Sequence, residues 1–261
     1  MSFMETGPQP TIDVSSPTEP VVSPDKQLLA PVWHTIALIA LMLFNSFGTA
    51  ALLPRSIGHA ISASPHARLY VYGFTVFFEF LLLFLVWIGL RLKRVTFREL
   101  IGGRWKTPED FLLDVGIAIG FWVVALFVLG GLAYLLGLTH PSPTDEVTKR
   151  MSALAPHTRW DIGVWIGLSI VAGFAEEIIF RGYLQRQIAA ISGKFYLGLI
   201  ASAVIFGAGH GYEGARRMLL IAVFGLMFGL LAHFRKSLRP GMMAHAWHDA
   251  LVGIALRFLP K

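Results

Sequence analysis

Seven apolar runs, separated by short polar or basic connectors, constrain this chain more than any other feature of its sequence. They cover about Val32 to Leu53, Leu69 to Leu90, Phe111 to Leu138, Ile162 to Phe180, Phe195 to His210, Met218 to Phe234 and Pro240 to Leu259. A helix needs roughly 17–25 residues to cross the hydrocarbon of a bilayer, and only the fifth run is borderline by that measure. Charged residues make up 15% of the chain, against roughly a quarter in a soluble domain. The deficit falls in blocks, so the pattern predicts an all-α, polytopic transmembrane bundle of about seven spans rather than a soluble domain with a large core.

Residues 1–28 are rich in Pro, Ser and Thr and lack apolar periodicity, which predicts a disordered N-terminal tail ahead of a bundle at 29–261. The formal net charge is +6, but the basic residues sit in connectors beside spans. Topology and lipid headgroups require them there, so the partners expected are membrane lipids and not nucleic acid. With the tail placed in the cytoplasm, most of the 22 Lys and Arg residues fall on the inner side, Arg91, Lys93, Arg98, Arg181 and Lys236 among them. That orientation sends the C-terminus outward. There are no cysteines, which excludes disulfides, thiolate metal sites and cysteine nucleophiles.

Ionisable residues inside spans are costly, and they persist where they are paired or face a polar cavity. The fourth run ends in Glu176-Glu177-Ile178-Ile179-Phe180-Arg181. Glu177 and Arg181 are four apart and share a helix face, so a salt bridge between them compensates both charges. Glu176 points about 100° away and has no local partner, which suits a general base. The fifth run ends in Phe206-Gly207-Ala208-Gly209-His210, with small residues that admit a close neighbour. The last carries His245-Ala246-Trp247-His248-Asp249, in which His245 and Asp249 share a face. Glu79 interrupts the second run and reads as a hydrogen-bonded contact within the bundle or as a cavity residue. His248 points elsewhere, and His233 reads as interfacial.

Together, Glu176-Glu177-x-x-x-Arg181, Phe206-x-x-x-His210 and His245-x-x-x-Asp249, each on its own successive run, resemble the motifs of the CAAX protease and bacteriocin-processing (CPBP, or Abi) family. That family includes the Ras-converting CAAX prenyl endopeptidase. The resemblance covers about residues 97–261, starting at the connector Phe97-Arg98-Glu99-Leu100-Ile101-Gly102-Gly103-Arg104. It implies a protease core within a helical bundle that encloses a membrane-embedded polar cavity. By the same resemblance, Glu176 and His210 activate a water, and His245 with Asp249 stabilises the oxyanion. Glu177, Arg181 and Phe206 support them.

The family usually has asparagine where this chain has Asp249. An ionised aspartate repels an oxyanion, so Asp249 is expected to be protonated, to orient His245, or to bind a cation. The activity expected is hydrolysis of membrane-anchored or amphipathic peptides in the plasma (inner) membrane of a prokaryote, without a cofactor. Two alternatives use the same residues. One is a zinc protease with Glu176, His210 and His245 as ligands and an open water position. The other is a non-catalytic binding, immunity or transport-associated membrane protein.

Overall fold

A computed structural model describes residues 27–52, 65–139 and 146–258, and every element among them is helical. In chain order these are α1 (Val32–Leu52), α2 (Pro65–Leu92), α3 (Phe97–Ile101), α4 (Pro108–Leu135), α5 (Glu146–Leu154) and α6 (Arg159–Glu176). After α6 the helix continues without a break as a π-helical stretch, Glu177–Leu184, and then as α7 (Gln185–Ser192). Helices α8 (Phe195–Ala208), α9 (Ala215–Arg235) and α10 (Arg239–Ala255) complete the bundle. The tail expected at 1–28 lies outside the described residues except for its last two.

Each of the seven apolar runs coincides with a helix. Four helical segments, His66–Leu92, Pro108–Leu135, Arg159–Ser192 and Ala215–Arg235, are long and apolar enough to cross a membrane. Val32–Gly48 and Phe195–Ala208 are apolar but shorter, and α10 has 17 residues. Large apolar side chains such as Phe44, Phe77, Phe84, Phe127 and Leu135 point outward. In water such a surface would drive aggregation, whereas in a bilayer it meets lipid tails. The protein is an integral membrane helix bundle.

Local chemistry starts the helices where the sequence allows it. Thr96, Thr107 and Thr158 each accept a hydrogen bond from the backbone N–H three residues on. Glu99, Asp110 and Asp161 return the contact to the cap, a reciprocal arrangement that satisfies two otherwise orphaned donors. Two of these helix starts are also tied across the bundle. Buried Asp161 takes a 3.0 Å ion pair from Arg68 of α2. Buried Asp114 is held by Trp105 Nε1 at 2.7 Å and by Arg235 at 2.9 Å, which fixes the start of α4 against the α9–α10 junction.

The π-helical stretch lies at the centre, and all eight of its residues are buried. Its apolar side chains Ile178, Ile179, Phe180, Tyr183 and Leu184 form one core with residues of α1, α2, α3 and α8. Tyr183 Oη meets His34 and Thr35 of α1 at 3.0 and 2.9 Å. Gln187 receives the backbone N–H groups of Leu29 and Ala30 on its Oε1 and donates from Nε2 to the carbonyl of Ala30. Arg181 also lies in this buried stretch. Read from the sequence as a connector charge, Arg181 instead answers the internal carboxylate of Glu177 and carries no information about sidedness.

Helices α6 and α10 cross closely at Gly173. A Cβ there would stand 2.6 Å from the backbone N of Ala246 and 2.9 Å from the carbonyl O of Met242. Those atoms belong to helix backbone and cannot rotate aside. Gly173→Ala is therefore expected to push the helices apart and destabilise the protein by about 1–3 kcal/mol, the usual scale of overpacking. Thermal unfolding in detergent measures this.

Candidate active site

Glu177 anchors the polar cluster from inside. Its side chain is fully buried, and its Oε1 lies 2.9 Å from Arg181 Nη1 and 3.0 Å from His245 Nδ1. The carboxylate cannot donate, so His245 Nδ1 carries a hydrogen and donates it. Gly241, one turn before His245 on α10, leaves room for the second oxygen: a Cβ there would stand 3.1 Å from Glu177 Oε2.

The opposite edge of the His245 ring faces two more carboxylates. Nε2 is 3.4 Å from Glu176 Oε2 and 3.6 Å from Asp249 Oδ2. Adjacent residues on an α-helix point about 100° apart, and the sequence reading sent Glu176 and Glu177 in different directions. Both reach His245, one on each side of the ring. Glu176 has no partner on its own segment, as its spacing implies, and meets His245 from another helix. The π-helical turn begins at this point, and such turns recur at functional sites because they re-aim side chains.

Exposure separates the roles. The side chains of Glu177 and His245 are 0% and 3% exposed, those of Glu176 and Asp249 14% and 30%. Glu176 and Asp249 form the accessible edge of the cluster. Glu177 and Arg181 form its buried back.

Phe206 joins the parts. Its ring lies 4.3 Å from the Arg181 guanidinium carbon and 5.9 Å, edge-on, from the His245 ring. A guanidinium over an aromatic face in a desolvated site is attractive, so the ring compensates a cation that has few hydrogen-bond partners. The Phe206 carbonyl also lies 3.0 Å from His210 Nδ1. A carbonyl only accepts, so Nδ1 carries the hydrogen and Nε2 is left as the basic nitrogen. His210 follows the end of α8 at a turn braced by α1, where Ser46 donates to the Ala208 carbonyl and accepts from the Gly211 N–H, each at 2.9 Å.

Among the described residues, His210 makes no ion pair with Glu176. Among the described residues, too, no three His, Asp or Glu side chains are arranged to hold a metal ion.

Several contributing residues carry little or no signal in the sequence. Phe228 stacks on His245 at 5.0 Å, and Phe224 packs 4.5 Å from the His248 ring. Both look like ordinary core aromatics in an apolar run, with four-residue spacing as the only hint. Trp165 Nε1 donates to the Asp249 carbonyl at 3.0 Å. Glu79 of α2 is buried within the bundle, 7% exposed. His233 stacks on Phe195 at 3.9 Å, away from this cluster.

Comparison with known proteins addresses residues 158–251, which match the family described as type II CAAX prenyl endopeptidase Rce1-like. An uncharacterized Bacillus subtilis protein, YpbD, is 34% identical over 95 residues, covering 36% of this chain and 46% of that relative. This chain thus matches less than half the length of that curated relative. No solved structure matches the chain. The connector at 97–104 lies outside the matched region, which begins at the cap of α6 and runs into α10. Residues 158–251, which contain Glu176, Glu177, Arg181, Phe206, His210, His245 and Asp249, are thus similar to the type II CAAX prenyl endopeptidase Rce1-like family.

Proposed function

We propose that the protein is an intramembrane endopeptidase that hydrolyses peptide bonds by activated water. One observation carries this reading. A partly exposed carboxylate, Glu176, lies 3.4 Å from a buried histidine whose far nitrogen is fixed by a buried ion pair. That arrangement provides a base and a hydrogen-bond donor side by side, on rigid helices.

In the reaction, Glu176 removes a proton from water as the water oxygen bonds to the peptide carbonyl carbon. The carbonyl π electrons move to oxygen, and His245, held doubly protonated between the carboxylates of Glu177 on one edge and of Glu176 and Asp249 on the other, donates from Nε2–H to the oxyanion that forms. Collapse of the intermediate breaks the C–N bond. The amine leaves with the proton that Glu176 took from water, passed to it directly or relayed through the basic Nε2 of His210. Oxyanion donors of this kind contribute on the order of 10²–10³ in rate. Glu177 and Arg181 touch neither water nor substrate; they keep the His245 ring in place.

Asp249 is assigned as an orienter, because its Oδ2 lies 3.6 Å from His245 Nε2. Asp249→Asn is expected to retain cleavage within about tenfold, since the amide oxygen can still accept from His245 Nε2–H while its N–H faces the oxyanion. Asp249→Leu is expected to lower kcat by on the order of 10²-fold. Steady-state cleavage by the two variants checks both.

The substrates proposed are membrane-anchored or amphipathic peptides, in the plasma membrane of a prokaryote. A cleft of about 460 Å³, lined by Trp105, Phe174, Met242, Met243, Arg104 and Arg239, supports this. It is apolar with a basic rim, and Met242 is one turn from His245 on α10.

The test is incubation of the purified protein in detergent with a diverse pool of peptides, lipidated ones included, followed by mass spectrometry. New termini that persist in the presence of a chelator are expected. Cleavage lost in chelator would replace the glutamate mechanism with a metal-dependent one. No cleavage of any peptide would overturn the protease reading in favour of a binding or transport-associated role.

A further inference from the structure

Helix α9 supplies none of the ionisable groups of the cluster, yet it places Phe228 against His245. The two ring centroids are 5.0 Å apart and the planes lie 23° from parallel. Phe206 and Phe224 also approach the imidazole, at 5.9 and 5.8 Å, but they meet it edge-on, at 88° and 69°. Of the three, Phe228 is the ring that lies flat on the histidine. It has little freedom to move away. The residue is 0% exposed, with Phe224 of the preceding turn at 4.4 Å and Phe121 of α4 at 4.8 Å.

The carboxylates hold His245 by its two nitrogens, at opposite edges of the ring. Contacts at the edges fix where the ring lies but leave its tilt soft, because the χ2 torsion of histidine is broad rather than staggered. A flat neighbour on the face supplies the missing restraint. That face is also the negative side of the aromatic quadrupole, so it attracts a doubly protonated imidazole. The Arg181 guanidinium carbon lies 5.1 Å from the same ring centroid. A leucine at this position would fill the core without either effect. We propose that Phe228 is a positioning residue for hydrolysis: its stacked ring sets the plane of His245, and with it the direction of the Nε2–H that meets the oxyanion. This rests on the reading of His245 as the oxyanion donor. A residue at one remove from the reacting atoms acts by holding geometry, and a displacement near 1 Å costs on the order of 10²-fold in rate.

The test uses the full chain in detergent with Phe228→Leu, Phe228→Tyr and Leu129→Ala. Phe228→Leu is expected to lose on the order of 10–10²-fold in kcat with little change in KM. Phe228→Tyr, which keeps the flat ring, is expected to recover most of that loss. Leu129 of α4 belongs to the same buried core as Phe228, so Leu129→Ala loosens the packing while the stacked pair stays in place. It is expected to unfold earlier than wild type and to keep wild-type kcat. Wild-type kcat in Phe228→Leu, no recovery in Phe228→Tyr, or an equal loss in Leu129→Ala would overturn the proposal. NMR of protein labelled on its histidine rings needs neither cleavage nor a folded Phe228 variant. The His245 ring signals, identified by their absence in His245→Gln, are expected upfield in the wild type, displaced by the ring current of the stacked phenyl. If the wild type cleaves no peptide, the protease reading fails; an unshifted His245 would overturn the stack in either case.

Discussion

Glu176→Gln is expected to lower peptide cleavage by on the order of 10²–10⁴-fold, the range that general acid–base catalysis contributes. The amide keeps the size of the carboxylate and can still face His245, but it cannot take a proton from water. The side chain lies at the accessible edge of the cluster, 14% exposed, so the substitution leaves no buried charge behind. Thermal unfolding in detergent is expected to stay close to wild type. A variant that retains cleavage above a hundredth of wild type would remove Glu176 from the chemistry and redirect attention to His210. A variant that fails to fold would give Glu176 the role assigned here to Glu177.

The second large effect is one of stability. Arg181→Met is expected to destabilise the bundle by about 3–5 kcal/mol, the cost of leaving one member of a buried pair without its counter-ion. Arg181 and Glu177 have side-chain exposures of 1% and 0%, so water cannot replace the lost partner. The guanidinium also covers the Phe206 ring at 4.3 Å, and methionine does not restore that attraction. The double variant Arg181→Met with Glu177→Gln is expected to recover part of the loss, because no unpaired charge remains. Unfolding temperatures of the two single variants and the double variant give the coupling directly. Additivity would show that the two side chains do not act as a pair.

The helical positions were legible because apolar length is a one-dimensional property. Each run between Val32 and Leu259 is long enough to be read without knowing its neighbours, and each coincides with a helix. The pairing of Glu177 with Arg181 was legible for a similar reason, since four-residue spacing on one segment fixes a contact. Contacts between segments were not legible in this way. Nothing local tells that Asp114 gathers Trp105, Arg235 and Arg239, or that Ser46 braces the turn at His210. Each joins residues far apart in sequence, and the chemical type of each residue permits many partners. Glu176 belongs with these: spacing shows that it has no partner on its own segment and cannot show that His245, on another helix, is its neighbour.

The π-helical stretch has a consequence for how the chain tolerates change. Over Glu177–Leu184 the backbone N–H groups reach back five residues, as Gln185 N does to the carbonyl of Phe180. Phe180's carbonyl is in addition an acceptor for Ser202 Oγ at 2.7 Å. The segment therefore sets the angular phase of everything after it. Gln185 is aimed at the Gly229 carbonyl and Gln187 at Ala30 from positions that a continuous α-helix would have rotated elsewhere. Removing or adding one residue between Arg181 and Gln185 would barely alter the length of the rod, about 1.5 Å, but would swing its lower end by about 100°. Drift in this protein is thus expected to be far freer in the identity of the residues along this stretch than in their number.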